Sequence, residues 1–192
     1  MEWCGDHARP SGNLETDERR VDRLPPPRLG SSGQRCRRFR RTGTWHVIAV
    51  VQRVSAASVT VAHPPHLAEI QQGLLVYAAI EPDDGPETVE WMANKLVSLR
   101  IFPDADGKMN LNVSTIQGEI LLISQFTLAG NCDKGHRPSF IGAAPPDEAA
   151  PMIDELAACL REKGTPVETG VFGADMSVKS VNEGPVTLIL RR

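Results

Sequence analysis

The stretch Glu119-Ile-Leu-Leu-Ile-Ser-Gln-Phe-Thr-Leu128 joins a run of apolar residues to a group of uncharged polar ones. The run from Ile120 to Ile123 predicts a strand that is buried on both faces. Ser124, Gln125 and Thr127 follow at its end, with Phe126 among them. Polar side chains and free backbone N–H groups at the end of a buried strand are typical of ligand sites in α/β proteins. On this stretch alone, however, a plain strand end whose Ser and Thr satisfy a turn is the favoured interpretation.

A second stretch near the C-terminus, Asn182-Glu-Gly-Pro-Val-Thr-Leu-Ile-Leu190, begins another apolar run with a Gly-Pro pair. Proline has no N–H to donate to a sheet ladder, so Pro185 is expected at the start of a strand. Periodicity predicts further strands at Gly73 to Ile80 and near residues 166–171 and 176–181. Residues 47–61 are interpreted as two short strands joined near Ala56.

Two helices are predicted from apolar residues that recur at helical spacing. The first is expected to have Asp84 as its N-cap and Pro86 in its first turn, and to continue to about Leu99. The second begins at Pro145-Pro-Asp147 and ends before Gly164. Strands that flank two helices predict an α/β fold, a three-layer single domain with a mixed β-sheet.

Composition divides the chain of 192 residues at about residue 45. Residues 1–46 contain ten Arg, no Lys and six acidic residues, with little hydrophobic periodicity. Such a segment buries too little apolar surface to offset its ordering entropy, so a disordered N-terminal extension is expected. A dispensable extension or a misassigned start is favoured over a basic arm for RNA. Residues 47–192 are expected to form the folded domain.

The charge of residues 47–192 limits the kind of nucleic-acid contact that is expected. This part holds 11 basic and 18 acidic residues, a formal net charge of −7. Because phosphate contacts dominate the affinity for long nucleic acids, this charge favours a small, local RNA footprint.

Several other classes of protein are disfavoured by the sequence. Its apolar runs are too short to cross a bilayer, and no secretory signal is recognisable. Cys4, Cys36, Cys132 and Cys159 are scattered without C-x-x-C spacing, which argues against a zinc site or a disulfide framework. His63 and His66 flank a Pro pair with no third ligand nearby. The expectation is a cytoplasmic protein without a metal, a cofactor or membrane association.

Ser124-Gln-Phe-Thr-Leu128, followed by Asn182-Glu-Gly-Pro-Val-Thr187, resembles the D-aminoacyl-tRNA deacylase family. The resemblance extends from Val47 to the C-terminus without a large gap. Glu183 stands where many relatives carry Asp, which keeps the charge. Four further segments agree with the family: Val51-Gln-Arg-Val54, Gly107-Lys-Met-Asn-Leu-Asn-Val113, His136-Arg-Pro-Ser-Phe140 and Phe172-Gly-Ala-Asp-Met176.

This resemblance implies hydrolysis of the ester between a D-amino acid and the 3′-terminal adenosine of tRNA. It also implies release of glycine mischarged on alanine tRNA, and sparing of L-aminoacyl-tRNA. The implied protein is a homodimer in which Gly184 and Pro185, joined by a cis bond, enter the partner's site and Arg53 props that segment. The implied catalytic residues are Gln125, Phe126 and Thr127, and the implied substrate-binding residues are Ser124, Gly184, Pro185, Arg53 and Met176.

The chemistry of deacylation suggests roles for some of these groups. The tetrahedral oxyanion needs fixed donors, which the backbone N–H groups of Phe126 and Thr127 are expected to supply, with the ribose 2′-OH assisting. Thr127 as the nucleophile is the less favoured alternative, since no base stands in the Ser124–Leu128 motif. Met176 either lines the pocket or belongs to the core. A different class of function is a non-catalytic dimeric module that binds nucleic acid.

Overall fold

The structure is a computed structural model that describes residues 47–133 and 135–192. The disorder expected for residues 1–46 lies outside the described residues. In the described part the chain forms eight strands, two α-helices and one 3₁₀ turn. The elements are β1 Val47–Val61, β2 His66–Ile70, β3 Gly73–Ile80, α1 Pro86–Ser98, β4 Phe102–Pro103, β5 Met109–Leu111, β6 Glu119–Ser124, the 3₁₀ turn Phe126–Ala129, α2 Pro146–Glu162, β7 Val167–Thr169 and β8 Met176–Arg191.

Six of these strands form one mixed sheet. Its order is β2-β1-β3-β6-β7, with β8 paired to β1, while β4 and β5 form a separate hairpin. The pairs β3–β6 and β6–β7 are parallel, whereas β1 is antiparallel to each of its neighbours. Ile120 to Ile123 are at most 1% exposed, which confirms the predicted buried strand.

The sheet separates two apolar clusters. Alternate residues of β6 belong to different clusters: Ile120 and Leu122 to the larger one, and Leu121 and Ile123 to the smaller one. Both helices pack into the larger cluster. The smaller cluster is closed by the second half of β1, by β2 and by the start of β8, which curl over β3 and β6. Helices, central strands and curled strands make three layers, so the predicted three-layer α/β fold with a mixed sheet is confirmed.

Two strand predictions were wrong in detail because pairing between distant segments overrides local breaks. β1 is one continuous strand, and not two, since β8 pairs with both of its halves. Pro185 lies inside β8 instead of at a strand start. The register shifts between the pairs Gln52↔Thr187 and Val54↔Asn182, so residues 183–186 lie opposite the single residue Arg53. Pro185 is tolerated because it lies in this bulge, where no ladder hydrogen bond needs its N–H.

The start of α1 also differs from the prediction. Gly85, and not Asp84, is the N-cap residue. The Asp84 carboxylate accepts a hydrogen bond from the Glu81 N–H at 2.8 Å, which places it in the preceding turn. The Gly85 N–H donates to the Thr88 hydroxyl oxygen at 3.1 Å, so a threonine inside the helix satisfies the cap. None of the helices in the described residues is long and apolar enough to span a membrane.

The parallel β3–β6 pair depends on the absence of a side chain at Gly73. Gly73 lies opposite Glu119, and a Cβ at this position would lie 1.9 Å from the Glu119 carbonyl oxygen. Because backbone atoms form this obstacle, the clash cannot be relieved by a side-chain rotation.

Gly73→Ala is therefore expected to lower the free energy of unfolding by about 3 kcal/mol, the upper end for overpacking of a closed site. Denaturant unfolding followed by circular dichroism measures this change. Gln72→Ala, at the exposed neighbouring position, is the matched control and is expected to shift the value by less than about 0.5 kcal/mol. Equal stability of Gly73→Ala and the unmodified chain would contradict this account of the β3–β6 contact.

Candidate active site

A cavity of about 650 Å³ opens where the parallel strands β3 and β6 end. Such an edge is the expected place for a ligand site in a sheet with parallel strands. Its wall is formed by strand ends, by the start of α2 and by the turn before β8. Residues that line it include Ala78, Ile80, Ile123, Ser124, Gln125, Phe126, Phe140, Pro146, Ala149, Ile153, Phe172, Asp175, Met176 and Val178.

The segment after β6 leaves two backbone donors without a partner in the turn. The Gln125 N–H donates to the Ala78 carbonyl at 2.8 Å and so extends the β3–β6 ladder by one residue. The first hydrogen bond of the 3₁₀ turn runs from the Leu128 N–H to the Gln125 carbonyl at 3.1 Å. The N–H groups of Phe126 and Thr127 precede that bond and have no acceptor inside the turn. Two adjacent N–H groups are thus available to a ligand beside the cavity.

Thr127 is exposed and does not line the cavity. Its hydroxyl accepts a hydrogen bond from the Gln125 side-chain amide at 2.5 Å. No histidine or carboxylate among the described residues is hydrogen-bonded to this hydroxyl. Since a Thr nucleophile needs a base at hydrogen-bond distance, the geometry favours a backbone role for Thr127.

Three partly exposed phenylalanines surround the cavity. Phe126, Phe140 and Phe172 are 58%, 39% and 38% exposed. The rings of Phe126 and Phe140 meet edge to face with centroids 5.2 Å apart. Phe140 and Phe172 were missed as site residues by the sequence analysis, although both lie in segments shared with the family. The sequence feature that could have identified them is an aromatic residue in a loop that is otherwise rich in polar or small residues.

Met176 has both of the positions that the sequence left as alternatives. It lines the cavity, and it also packs against the smaller cluster together with Tyr77 and Val178. Its side chain therefore forms part of the boundary between the core and the site.

A second structured feature surrounds Gly184 and Pro185, whose peptide bond is cis. Residues 183–186, which lie opposite Arg53, form an excursion of β8. Arg53 contacts this excursion, and its side chain is only 11% exposed. The Arg53 guanidinium donates to the Glu183 carbonyl at 3.1 Å and to the Ile101 carbonyl at 2.6 Å. The Val186 N–H donates to the Asn182 side-chain oxygen at 2.9 Å, which closes the excursion. The exposed tip, Gly184-Pro185, is thus fixed from both sides.

The two features lie at opposite ends of the sheet in one chain. Arg53, which faces the excursion, pairs with Leu74 near the start of β3. Ser124, at the cavity, pairs with Ala78 near the end of β3. Leu74 and Ala78 are four positions apart on β3, a distance of about 13 Å along the strand. Ser124, Gln125, Phe126 and Met176 are therefore brought together at the cavity, whereas Arg53, Gly184 and Pro185 lie outside it.

The cavity carries little charge. Asp175 is the one ionisable side chain among the described residues that line it. Burial raises the pKa of the nearby Tyr77 hydroxyl above its usual value of 10.0, so this group stays neutral at physiological pH. Within residues 47–133 and 135–192, no group of three or more His, Cys, Asp or Glu side chains is placed to hold a metal ion.

Comparisons with known proteins show the family of this chain. Residues 50–191 match the family model described as D-Tyr-tRNA(Tyr) deacylase. A D-aminoacyl-tRNA deacylase from Thermotoga petrophila is 53% identical over 142 residues, which are 74% of this chain and 95% of that protein. A second D-aminoacyl-tRNA deacylase, from Geotalea uraniireducens, is 51% identical over 142 residues, or 74% of this chain and 91% of that protein.

Two solved structures share the fold. One, described as a c-Myc DNA unwinding element binding protein, superposes with a TM-score of 0.70 at 39% identity, covering 74% of this chain and 97% of that one. The other, a probable eukaryotic D-amino acid tRNA deacylase, gives a TM-score of 0.67 at 18% identity, covers 77% of this chain and 100% of that one, and shows the fold alone. By the family match and by the identity to its relatives, this chain belongs to the D-Tyr-tRNA(Tyr) deacylase family.

Proposed function

We propose that this protein hydrolyses the ester that joins a D-amino acid to the 3′-terminal adenosine of tRNA, and that it acts in the cytoplasm. The observation that carries the proposal is the pair of unengaged N–H groups at Phe126 and Thr127, which lie beside an apolar cavity in a member of this family. Such donors suit an acyl-transfer reaction, in which negative charge develops on a carbonyl oxygen.

The cavity has the character of a nucleoside site. Its apolar wall and the rings of Phe126, Phe140 and Phe172 offer surfaces on which a base can stack. Stacking on an aromatic ring contributes about 1–3 kcal/mol per base in single-stranded nucleic-acid complexes. One terminal nucleotide held in this way needs few phosphate contacts, which is compatible with the net charge of −7 on residues 47–192.

The reaction then needs only water and groups that are already present. Water, assisted by the ribose 2′-OH, attacks the ester carbonyl, and the Phe126 and Thr127 N–H groups hold the resulting oxyanion. Collapse of this intermediate breaks the bond to the ribose 3′ oxygen, which takes up a proton. The products are the free D-amino acid and uncharged tRNA. Gln125 assists by fixing the Thr127 side chain through its amide.

Selection against L-aminoacyl esters is assigned to Gly184 and Pro185 of a second subunit. The excursion that carries them is exposed and is held in place by Arg53, so it is suited to form a rigid wall of the partner's cavity. In one chain it lies about 13 Å along the strand from Ser124, so a partner has to bring it to the cavity. The wall accepts the α-hydrogen of a D-residue or of glycine, including glycine mischarged on alanine tRNA, and collides with an L side chain.

A homodimer is supported by the outer edge of β8. This strand of 16 residues is paired with β1 on one side, and no strand of the described residues pairs with its other side. Val181 and Ile189 on it are 60% and 65% exposed. A long edge with exposed apolar side chains is a ready surface for a second chain.

A second candidate, a non-catalytic dimer that binds nucleic acid, is favoured by the name of one solved structure at 39% identity. The acidic character of residues 47–192 opposes it, so such binding would depend on the ten arginines of residues 1–46. We therefore propose residues 47–192 as the functional domain and residues 1–46 as dispensable for deacylation. Equal D-aminoacyl-tRNA hydrolysis by the full chain and by a chain beginning at Val47 supports this division. Binding of nucleic acid by the full chain without any hydrolysis, and loss of that binding when residues 1–46 are removed, favours the binding module.

The direct test compares matched D- and L-tyrosyl-tRNA with the full-length protein. Rapid release of D-tyrosine is expected, in the presence of a chelator, while L-tyrosyl-tRNA decays at its spontaneous rate. Glycyl-tRNA charged on alanine tRNA is expected to be hydrolysed as well. Release of neither D-tyrosine nor glycine above the spontaneous rate would refute the proposed function.

The backbone role of Phe126 can be isolated by a pair of substitutions. Phe126→Pro removes its N–H, and proline is tolerated at the first position of a helical turn. A fall in kcat of about 10²–10³ is expected, as for loss of one oxyanion donor. Phe126→Ala is the control, since it keeps the N–H and removes the same ring. Both kcat values are measured by single-turnover kinetics, and equal losses in the two variants would exclude the donor role.

The assignment of the wall to the partner subunit predicts complementation. Pro185→Ala chains have an intact Phe126 segment, whereas Phe126→Pro chains have an intact wall. Mixed dimers, purified through two different tags, are expected to recover a D-to-L rate ratio above that of either homodimer, because one of their sites has both parts. If the ratio is only the average of the two homodimers, or if the protein is monomeric, the wall does not act between subunits.

A further inference from the structure

Gly170 lies directly behind the boundary of the cavity, one residue beyond β7. Its N–H donates to the Leu122 carbonyl at 3.1 Å and so continues the β6–β7 ladder. Its φ does not lie in the left-handed region, unlike the φ values of Gly164 and Gly173. The backbone conformation therefore does not require glycine at this position.

The space around Gly170 is what excludes a side chain. A Cβ at this position would lie 2.5 Å from the sulfur of Met176 and 3.2 Å from the Ile123 Cδ1 atom. Nonbonded carbon and sulfur atoms need about 3.5–4 Å, so the Met176 thioether occupies the volume that a side chain would fill. Met176 is thus seated against the bare Cα of Gly170.

The same Met176 side chain lines the cavity on its other side, next to Ile123 and Val178. Tyr77 and Val178 pack near it in the smaller cluster. Because packed side chains leave few voids, the open direction for a displaced thioether is the cavity itself. A flexible methionine can make this movement at low cost to the fold.

We infer that Gly170 is a positioning residue that sets the depth of the substrate cavity. Because it has no side chain, the Met176 thioether packs against its Cα and stays at the cavity wall instead of projecting into the cavity. The inference rests on the proposed function, because the cavity is taken as the site of the terminal nucleoside. A methyl group at residue 170 pushes the thioether into the cavity and shortens the space for the base. The Phe126 and Thr127 N–H groups lie on a different segment, so the chemical step is not touched.

Gly170→Ala in the full-length protein tests this inference. KM for D-tyrosyl-tRNA is expected to rise about tenfold, the effect of one methyl-sized intrusion in a filled pocket. The value of kcat is expected to stay within about twofold. In Gly170→Ala/Met176→Ala the obstacle is gone, so KM is expected to return to the value of Met176→Ala alone. This non-additive result separates positioning from a general loss of structure.

A second readout does not depend on activity. In protein with ¹³C-labelled methionine methyl groups, Gly170→Ala is expected to move the Met176 resonance and to leave that of Met109, on the distant β4–β5 hairpin, unchanged. An unmoved Met176 signal, an unchanged KM, or additive effects in the double variant would overturn the inference. If Gly170→Ala alone does not fold, a folded double variant supports the inference and an unfolded one overturns it. If the wild-type protein has no deacylase activity, the proposed function is refuted. The Met176 methyl resonance then still shows whether Gly170→Ala displaces this side chain.

Discussion

The parallel contact between β3 and β6 determines where the other parts of this fold lie. It is possible because Gly73 lets the two backbones approach where a side chain would strike the Glu119 carbonyl. From that point the strands run together to Ala78 and Ser124, and the cavity opens where they end. The 3₁₀ turn follows immediately, so the hydrogen-bond ladder between β3 and β6 also fixes the position of its two unengaged N–H groups. Burial of the strand and exposure of the donors are therefore two consequences of one pairing.

The opposite end of the sheet is organised around a different interaction. Arg53 lies opposite the excursion of β8 and bonds both the Glu183 carbonyl and the Ile101 carbonyl. It thereby joins the excursion to the segment that leads into β4. A guanidinium suits this task because its donors lie in one rigid plane and can reach two acceptors at once. The segment with two unengaged N–H groups thus lies at one end of the sheet and the protruding segment at the other, and the proposed two-fold symmetric dimer would bring the two together.

Local patterns in the sequence predicted those elements that depend on local physics. The run Ile120–Ile123, the strand Gly73–Ile80 and the apolar stripes of both helices each carry their own periodicity, and each was found. Pairing over long distances was not readable in the same way. Nothing near Ala56 shows that β8 will hold β1 as one strand, and nothing near Pro185 shows that Arg53 will face an excursion there. Asp84 is not the helix cap because its carboxylate accepts the Glu81 N–H in the preceding turn, and the Gly85 N–H is satisfied by the Thr88 hydroxyl instead.

For the site, the sequence indicated the residues near Ser124 through a change in chemistry, and the remaining candidates through a family resemblance. It did not indicate that Phe140 and Phe172 would surround the same cavity, since these rings come from loops that meet only in the folded chain. The double position of Met176 was likewise undecidable from its own neighbourhood. Whether a methionine borders a core or a cavity depends on what faces it, and here that is set by residues from β6 and from the end of β7.

The excursion at Pro185 also affects how the outer edge of β8 can be used. An uninterrupted edge of 16 residues would be a template for strand addition by any extended segment, the first step toward fibrous aggregates. Proline offers no N–H there, and the bulge divides the strand into two shorter paired stretches. Lys179 and Arg191 lie in these stretches, and Glu183 lies between them. Indiscriminate growth of the sheet is thereby discouraged, so the excursion that carries Gly184 and Pro185 also protects the molecule against edge-to-edge aggregation.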